Sequence, residues 1–308
     1  MKAKIDSAIK TIAVAAMFSA VLFYSSPAAG KALAGTFNGT TNYVSKSGNV
    51  PQRVETKPED DLYAAFVSAD AATRRAWMAD EKMRVRLAAV GTPPKSAPAD
   101  GVPRWYDGFG IANMRDVGGW KGLGGRRLRT GLLFRSAHLD RCTNKAAVVS
   151  MYGIKTELDI RKFEEHRRFK SPLGWGVAFA TRSAPAYGEF DDERGRQFFK
   201  DVFALFEDRS AYPILFHCAV GADRTGSLAF LLQGLLGVSE DDRLLDWELT
   251  AFSNPNPKFR EPKRYDRLVK VISSCEGATW DDKFVAYAHK CGISDKSIAA
   301  FRKIMLED

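Results

Sequence analysis

The sequence predicts an α/β fold, in which helices flank a central, mainly parallel sheet and the C-terminal part is helical. Two patterns carry this prediction. From Trp105 onward, short apolar runs alternate with amphipathic stretches, which is typical of strands crossed by helices. From Ser239 to the C terminus, nearly all of the chain has a helical pattern. With 308 residues and a hydrophobic content of 45%, the chain is long enough to bury such a core.

The individual elements follow from the same periodicities. The helix at 194–206 is the clearest, because five apolar side chains share one of its faces. Ser294 is a natural N-cap for the last helix. The predicted strands are at 129–134, 154–160, 176–180 and 213–216, and the predicted helices are at 144–152, 194–206, 227–236 and 295–306.

The region before this domain has three parts. Residues 35–58 are rich in Gly, Thr, Asn and Ser without a hydrophobic period, which predicts a flexible linker. Residues 59–90 carry apolar side chains at near-helical spacing with one interruption around 70–73, which predicts two helices or one kinked helix. A proline-rich connector at 92–103 ends them. The predicted organisation is a leader at 1–34, a linker and helical segment at 35–104, and a catalytic domain at 105–308.

The N terminus has the three-part layout of a secretory signal peptide. Lysines up to Lys10 precede an apolar stretch at 12–24, and small residues follow, with cleavage sites after Ala29 or Ala34. The apolar stretch is shorter than the about 20 residues of a membrane span, although an uncleaved anchor is the alternative. We therefore expect an exported protein, periplasmic or secreted, with no stable membrane span after removal of residues 1–34.

The charge distribution argues against nucleic acid as a partner. The formal net charge is +9, but the Lys and Arg residues are scattered among acidic ones without a long basic run. A basic surface of this kind instead attracts anionic substrates.

The chain has four cysteines, and an oxidising compartment would permit disulfides. Cys218 belongs to the chemistry considered below. A bridge between Cys275 and Cys291 stays open, because the two flank one predicted helical excursion. Cys142 is expected to be an inert buried thiol.

One segment combines the residue types that bind and attack a phosphate ester. The run His-Cys-Ala-Val-Gly-Ala-Asp-Arg-Thr-Gly at 217–226 joins the apolar strand at 213–216 to an apolar helix. Ligands of open α/β sheets bind at this edge, and a helix N terminus offers unpaired amides to an anion. The combined pattern is far more specific than a Cys followed by an Arg, and it favours a phosphate-binding loop over a simple tight turn.

The polar residues of this loop have distinct expected roles. Cys218 is the nucleophile, because a helix terminus and nearby cations favour its thiolate. Arg224 grips two phosphate oxygens with its planar guanidinium. Thr225 donates its hydroxyl to the sulfur, and His217 holds the loop through backbone hydrogen bonds. The expected substrate-binding residues of the loop are Ala219, Val220, Gly221, Ala222 and Gly226.

These residues resemble the loop of the protein tyrosine phosphatase superfamily, which reads His-Cys-x-x-Gly-x-x-Arg followed by Ser or Thr. The run Asn-Met-Arg-Asp-Val-Gly-Gly at 113–119 is similar to the Asn-Phe-Arg-Asp-Leu-Gly-Gly signature of a bacterial branch of tyrosine phosphatases. Further matches at 131–136 and 153–161 follow the order of that branch. The resemblance therefore covers about residue 111 to the C terminus.

The resemblance implies the cysteine-phosphatase fold and a mechanism without metal or cofactor. It implies a phosphorylated protein or a small phosphoester as the substrate, with phosphotyrosine foremost. It also places Asn113 and Arg115 near the site, where they are candidates for lining the pocket.

The resemblance further implies an Asp that donates a proton to the leaving alcohol. Asp159 is the first candidate, because it matches a family position at the end of a strand beside the loop. Asp223 is the second, although it could instead shape the turn through backbone hydrogen bonds. Asp191 or Asp192 lies where a mobile lid would be, but paired surface acids are usually only solvated.

Four functions compete. The leading hypothesis is hydrolysis of protein phosphotyrosine through a cysteinyl-phosphate intermediate. A phosphatase for inositol or lipid phosphates is the alternative, which Ala222 disfavours because several lipid-active relatives carry Lys there. A catalytically silent phosphate-binding module is disfavoured because the nucleophile and its partners are all present. A sulfurtransferase also uses a loop Cys, but Arg224 and the Thr-Gly after it argue against one.

Overall fold

The computed structural model describes residues 58–91, 105–106, 109–253, 257–259 and 261–308. The predicted signal peptide, the linker up to residue 57 and the proline-rich connector lie outside these residues. Within the described residues, no helix is both long and apolar enough to cross a membrane.

A five-stranded sheet forms the centre of the fold and confirms the predicted α/β class. Its strands are β1 (Arg115–Asp116), β2 (Leu133–Ser136), β3 (Thr156–Asp159), β4 (Ala178–Thr181) and β5 (Ile214–His217). They are ordered β1-β2-β5-β3-β4, and all are parallel except β1, which is antiparallel at one edge. The last residues of β2, β5 and β3, namely Ser136, His217 and Asp159, are in register. The loops that follow these strands therefore leave the sheet at one edge.

The helices surround this sheet and make up most of the C-terminal part. The α-helices of the described residues are α1 (Pro58–Ser68), α2 (Ala71–Ala79), α3 (Glu81–Val90), α4 (Lys145–Tyr152), α5 (Phe163–His166), α6 (Glu193–Phe206), α7 (Asp223–Leu235), α8 (Glu240–Glu248), α9 (Pro262–Ser273), α10 (Trp280–Lys290) and α11 (Asp295–Met305). Apolar side chains of α6, α7, α9, α10 and α11 pack in one core cluster with side chains of β5. Ser294 caps α11, as predicted.

Three elements differ from the predicted ones for local reasons. β2 begins at Leu133 instead of residue 129, because Gly131 has a left-handed φ of +75° just before it. α7 begins at Asp223, four residues early, so its first turn is part of the predicted loop. The short strand β1 has no apolar signature, since both of its residues are charged.

The N-terminal helical segment contains three helices where the sequence predicts one or two. Asp70 caps α2 at the predicted interruption, and its Oδ1 accepts a hydrogen bond of 2.7 Å from Thr73 N. Asp80 caps α3 in the same way, with a bond of 2.7 Å from Met83 N. The apolar pattern does not predict the second break, between α2 and α3, because that break depends on one capping side chain.

These three helices share one apolar core with the sheet. Phe66, Met78 and Leu87 are buried in the same apolar cluster as the side chains of the sheet. Arg74 of α2 also forms a buried ion pair of 2.5 Å with Glu248 of α8. The segment therefore packs directly on the elements that carry the site.

Candidate active site

The predicted loop runs from the end of β5 into the first turn of α7. β5 ends at His217, and Ala222 is the N-cap of α7. The first helical turn is closed by a hydrogen bond of 2.7 Å from Gly226 N to Ala222 O. The amides before Gly226 thus have no partner within the helix, which is the usual state of a helix N terminus. Cys218 lies at the start of this curve and is buried, with 1% of its surface exposed.

Gly221 makes the tight curve of the loop sterically feasible. Its φ is +66°, in the left-handed region. A Cβ at this position would lie 2.5 Å from both the carbonyl carbon and the carbonyl oxygen of Ser136 at the end of β2. Backbone conformation and close approach therefore both require glycine. Gly226, in contrast, lies in the first turn of α7 with a helical conformation.

Asn113 and Arg115 from the 113–119 motif lie behind the loop. The Asn113 side chain donates a hydrogen bond of 3.1 Å to Val220 O and accepts one from Arg115. Both residues are buried, with 2% and 0% of their surface exposed. The structure thus brings the two residues to the loop as expected, but on its buried side, where they position the backbone and do not line an open pocket.

Asp246 of α8 connects Arg115 with Arg135, a second arginine that contacts the loop. Its carboxylate accepts a hydrogen bond of 2.9 Å from Arg115 Nε and a second one from Arg135 of β2. Arg135 in turn donates a bond of 3.0 Å to Gly221 O. Both guanidinium groups therefore lie directly behind the loop, where their charge favours an anion in front of it. Sequence reasoning missed Asp246, since it lies 111 residues from Arg135 and outside every motif.

His217 is anchored by Glu157 of β3. The distance from His217 Nε2 to Glu157 Oε1 is 2.8 Å, and the distance from His217 Nδ1 to Cys218 O is 3.3 Å. Ser171 donates a further hydrogen bond to Glu157. The predicted backbone contact of His217 is therefore present, and a carboxylate partner is added to it.

Asp159 is buried beneath Arg161. Arg161 donates from Nε to Asp159 Oδ1 at 3.0 Å and from a terminal nitrogen to Oδ2 at 2.6 Å. Burial tends to raise the pKa of Asp159, but the hydrogen bonds from Arg161 and the charge of His217 outweigh it, so the pKa is lowered. Glu157, Asp159 and His217 place possible metal ligands within 4.8 Å of one another. Asp159 is already paired with Arg161, and Glu157 accepts a hydrogen bond from Ser171 and lies 2.8 Å from His217 Nε2, so we interpret this cluster as structural.

Asp223 is the partly exposed carboxylate of the loop, with 36% of its side chain accessible. The Tyr187 hydroxyl donates a hydrogen bond to Asp223 Oδ1, and a terminal nitrogen of Arg264 lies 3.7 Å from the same oxygen. Tyr187 is held in turn by a bond of 3.1 Å from its amide to Ser227 Oγ. Asp223 is therefore both oriented and accessible.

Arg224 is held by Glu165 of α5 in a two-bond ion pair. Its terminal nitrogens lie 2.6 and 2.8 Å from the two carboxylate oxygens of Glu165. This bond lowers the pKa of Glu165 and raises the pKa of Arg224, to which the charge of Cys218 also contributes. A guanidinium has five N–H donors, and Glu165 uses two. Glu165 therefore orients Arg224 while donors remain for a second anion.

The other residues considered from the sequence lie outside this set of contacts. Thr225 is fully buried, and its hydroxyl has no hydrogen-bond partner among the described residues, so the expected bond to Cys218 is not formed. Asp191 forms an ion pair of 2.8 Å with Lys290 of α10. Cys142, Cys275 and Cys291 are all free thiols.

The sequence is similar to proteins named as tyrosine phosphatases. A sequence model of the tyrosine phosphatase family matches residues 107–307. A Cupriavidus necator protein, provisionally named a tyrosine-protein phosphatase, is 31% identical over 168 residues, which are 44% of this chain and 59% of that protein. A Nostoc commune tyrosine-protein phosphatase is 26% identical over 139 residues, which are 38% of this chain and 47% of that protein. The chain thus spans about half the length of these relatives.

Solved structures give weaker similarities. Pseudomonas aeruginosa TpbA in complex with phosphotyrosine has a TM-score of 0.37 and 17% identity, and covers 62% of this chain and 99% of that one. The catalytic domain of the Saccharomyces cerevisiae PP-IP phosphatase SIW14 in complex with citrate has a TM-score of 0.36 and 14% identity, and covers 53% of this chain and 93% of that one. Scores this low do not support an inference about function.

Gly221→Ala tests the close approach of the loop to β2. We expect the free energy of unfolding to fall by about 3 kcal/mol or more, because the added Cβ meets backbone atoms that cannot move aside. Gly131→Ala is the matched control. Gly131 has a similar φ of +75°, but a Cβ added there would meet no other part of the described structure within 4 Å, so its loss should be only about 1 kcal/mol. Urea denaturation measures both, and equal losses would contradict this account.

Proposed function

Because the chain belongs to the tyrosine phosphatase family, we propose that it hydrolyses phosphotyrosine with Cys218 as the nucleophile. The observation that carries this proposal is the position of Cys218, between the end of β5 and the N terminus of α7. There the amides at the helix N terminus, Arg224 and the two arginines on Asp246 all favour an anion next to the sulfur.

In the proposed complex, the phosphate group lies in the curve of the loop. The amides at the start of α7 donate to its oxygens. Arg224 donates from the nitrogens that Glu165 orients, and planar, two-point contacts of this kind suit phosphate. The arginines behind the loop contribute charge without contacting the substrate, because both are fully buried.

The reaction then proceeds in two steps. The Cys218 sulfur attacks phosphorus, and the S–P bond forms while the P–O bond to the tyrosine ring breaks. The electron pair of the broken bond goes to the phenolic oxygen, which takes a proton from Asp223. A water molecule then attacks the cysteinyl phosphate and gives a proton back to Asp223. The S–P bond breaks, inorganic phosphate leaves and the thiolate is restored.

We assign the proton donor to Asp223 instead of Asp159, the first candidate from the sequence. A donor must reach the leaving oxygen and must be protonated when it acts. Asp159 is fully buried under Arg161, so it does not reach the leaving oxygen, and its lowered pKa disfavours the protonated form. Asp223 is accessible, and Tyr187 holds its carboxylate in a fixed orientation.

Cys218→Ser tests the nucleophile. We expect hydrolysis of para-nitrophenyl phosphate to fall by about 1,000-fold or more, because a serine hydroxyl is a far weaker nucleophile here than a thiolate. Vanadate binding should persist, since the amides and Arg224 are unchanged. Cys142→Ser is the matched control and should keep the rate of the unmodified protein. A Cys218→Ser protein with more than a few per cent of that rate would contradict the proposal.

Asp223→Asn and Asp159→Asn distinguish the two acids. With a poor leaving group such as tyrosine, Asp223→Asn should lower kcat by about 10²- to 10⁴-fold. With a good leaving group such as para-nitrophenol the loss should be much smaller, because that oxygen leaves without a proton. Asp159→Asn should lower both rates by the same factor, since it disturbs only the buried support. The opposite pattern would identify Asp159 as the donor.

We also propose that the protein is exported. The support is the layout of residues 1–34, which lie outside the described residues. Expression of the full chain should give a periplasmic or secreted protein whose first residue, by mass spectrometry, is Gly30 or Gly35. A chain that starts at residue 36 is the control and should stay inside the cell. A protein that stays in the cytoplasm and still begins at Met1 would rule out this proposal.

A further inference from the structure

The segment at 162–175, which we call the rim segment, exposes three large aromatic side chains. Phe163, Phe169 and Trp175 are 45%, 87% and 86% exposed. Single exposed apolar residues are common on protein surfaces, but three within one short segment mark a contact surface. Phe163 and Phe169 lie together, with ring centroids 5.3 Å apart.

The rim segment also forms a cleft that is basic as well as aromatic. The cleft has a volume of about 530 Å³ and is lined by Arg167, Arg168, Phe169, Lys170 and Trp175, with Ser171 and Pro172. Three of these seven described residues are cationic and none is acidic. Lys170 Nζ lies 4.2 Å from the centroid of the Trp175 ring, which keeps a cation and an apolar surface side by side. A ligand that carries carboxylates next to an apolar side chain would match both the cations and the aromatic surface of the cleft.

Ion pairs connect the rim segment to the candidate active site. Glu165, two residues before the cleft residue Arg167, is the residue that holds Arg224. Arg168 pairs with Asp140, which in turn binds Arg161 beside the loop at 3.0 Å. The segment that lines the cleft is therefore also the segment that orients the phosphate-binding arginine.

We propose that this cleft binds an acidic stretch of a peptide substrate, a few residues from its phosphotyrosine. The inference rests on the proposed phosphatase function. An extended peptide advances about 3.3 Å per residue, and we expect residues a few positions from a phosphotyrosine in the loop to meet the rim segment, because Glu165 of this segment contacts Arg224. Glu or Asp side chains meet the cations, and an apolar neighbour packs against Phe169 or Trp175. A concave cleft beside the loop fits a peptide better than a flat membrane surface.

The test compares two phosphotyrosyl peptides that differ only in flanking residues, three Glu and a Leu in one and three Lys and a Leu in the other. We expect kcat/KM of the unmodified protein to favour the acidic peptide by about 10-fold or more, and the preference to weaken at high salt. Arg167→Glu with Lys170→Glu should reduce the preference to less than about 2-fold, because the attraction is lost. Phe169→Ala with Trp175→Ala should lower kcat/KM for both peptides, since both carry the Leu. Turnover of para-nitrophenyl phosphate should change little in either variant.

Matched controls and a vesicle assay separate the outcomes. Lys82→Glu with Lys155→Glu makes the same change in net charge elsewhere, and Val85→Ala with Met151→Ala removes exposed apolar side chains elsewhere. Both should keep the peptide preference. If the unmodified protein does not hydrolyse para-nitrophenyl phosphate, the proposed function itself is wrong. Normal hydrolysis with no peptide preference would overturn only this inference. Sedimentation with phosphatidylserine vesicles that depends on Phe169 and Trp175, without a peptide preference, would overturn it in favour of a membrane surface.

Discussion

The geometry of the site depends on one buried carboxylate, that of Asp246. It accepts hydrogen bonds from Arg115 and Arg135, which come from neighbouring strands, and these arginines support the loop through Asn113 and directly at Gly221. Removing one partner of a buried ion pair typically destabilises a protein by about 3–5 kcal/mol. The carboxylate therefore holds together two strands, one helix and the loop.

Two side chains near the sulfur each have a carboxylate partner that orients them. Arg224 is paired with Glu165, and His217 Nε2 lies 2.8 Å from Glu157. In both pairs the carboxylate fixes the direction of its partner before any substrate arrives, and Arg224 keeps donors for the phosphate. Such preorganised charge stabilises a transition state without the cost of reorienting solvent.

The sequence predicts the local features of this fold well and the long-range ones poorly. Strands β2 to β5, the break near Asp70, the cap at Ser294 and the loop around Cys218 follow from periodicity and from neighbouring residues, whereas β1 does not. Glu165 could not be found in this way, because it meets Arg224 only through the tertiary fold, 59 residues away. Asp159 could be placed near the loop by its strand position, but its burial under Arg161 decides its chemistry and is visible only in the structure.

The helices at 58–90 extend the fold beyond the segment that matches the family. Arg74 reaches Glu248, which lies two residues from Asp246 on α8. A shortened chain that starts after residue 91 would lose this ion pair and would expose the apolar surface that Phe66, Met78 and Leu87 cover, next to the helix that carries Asp246. The smallest folded and active form of this protein is thus expected to be longer than its recognisable catalytic region.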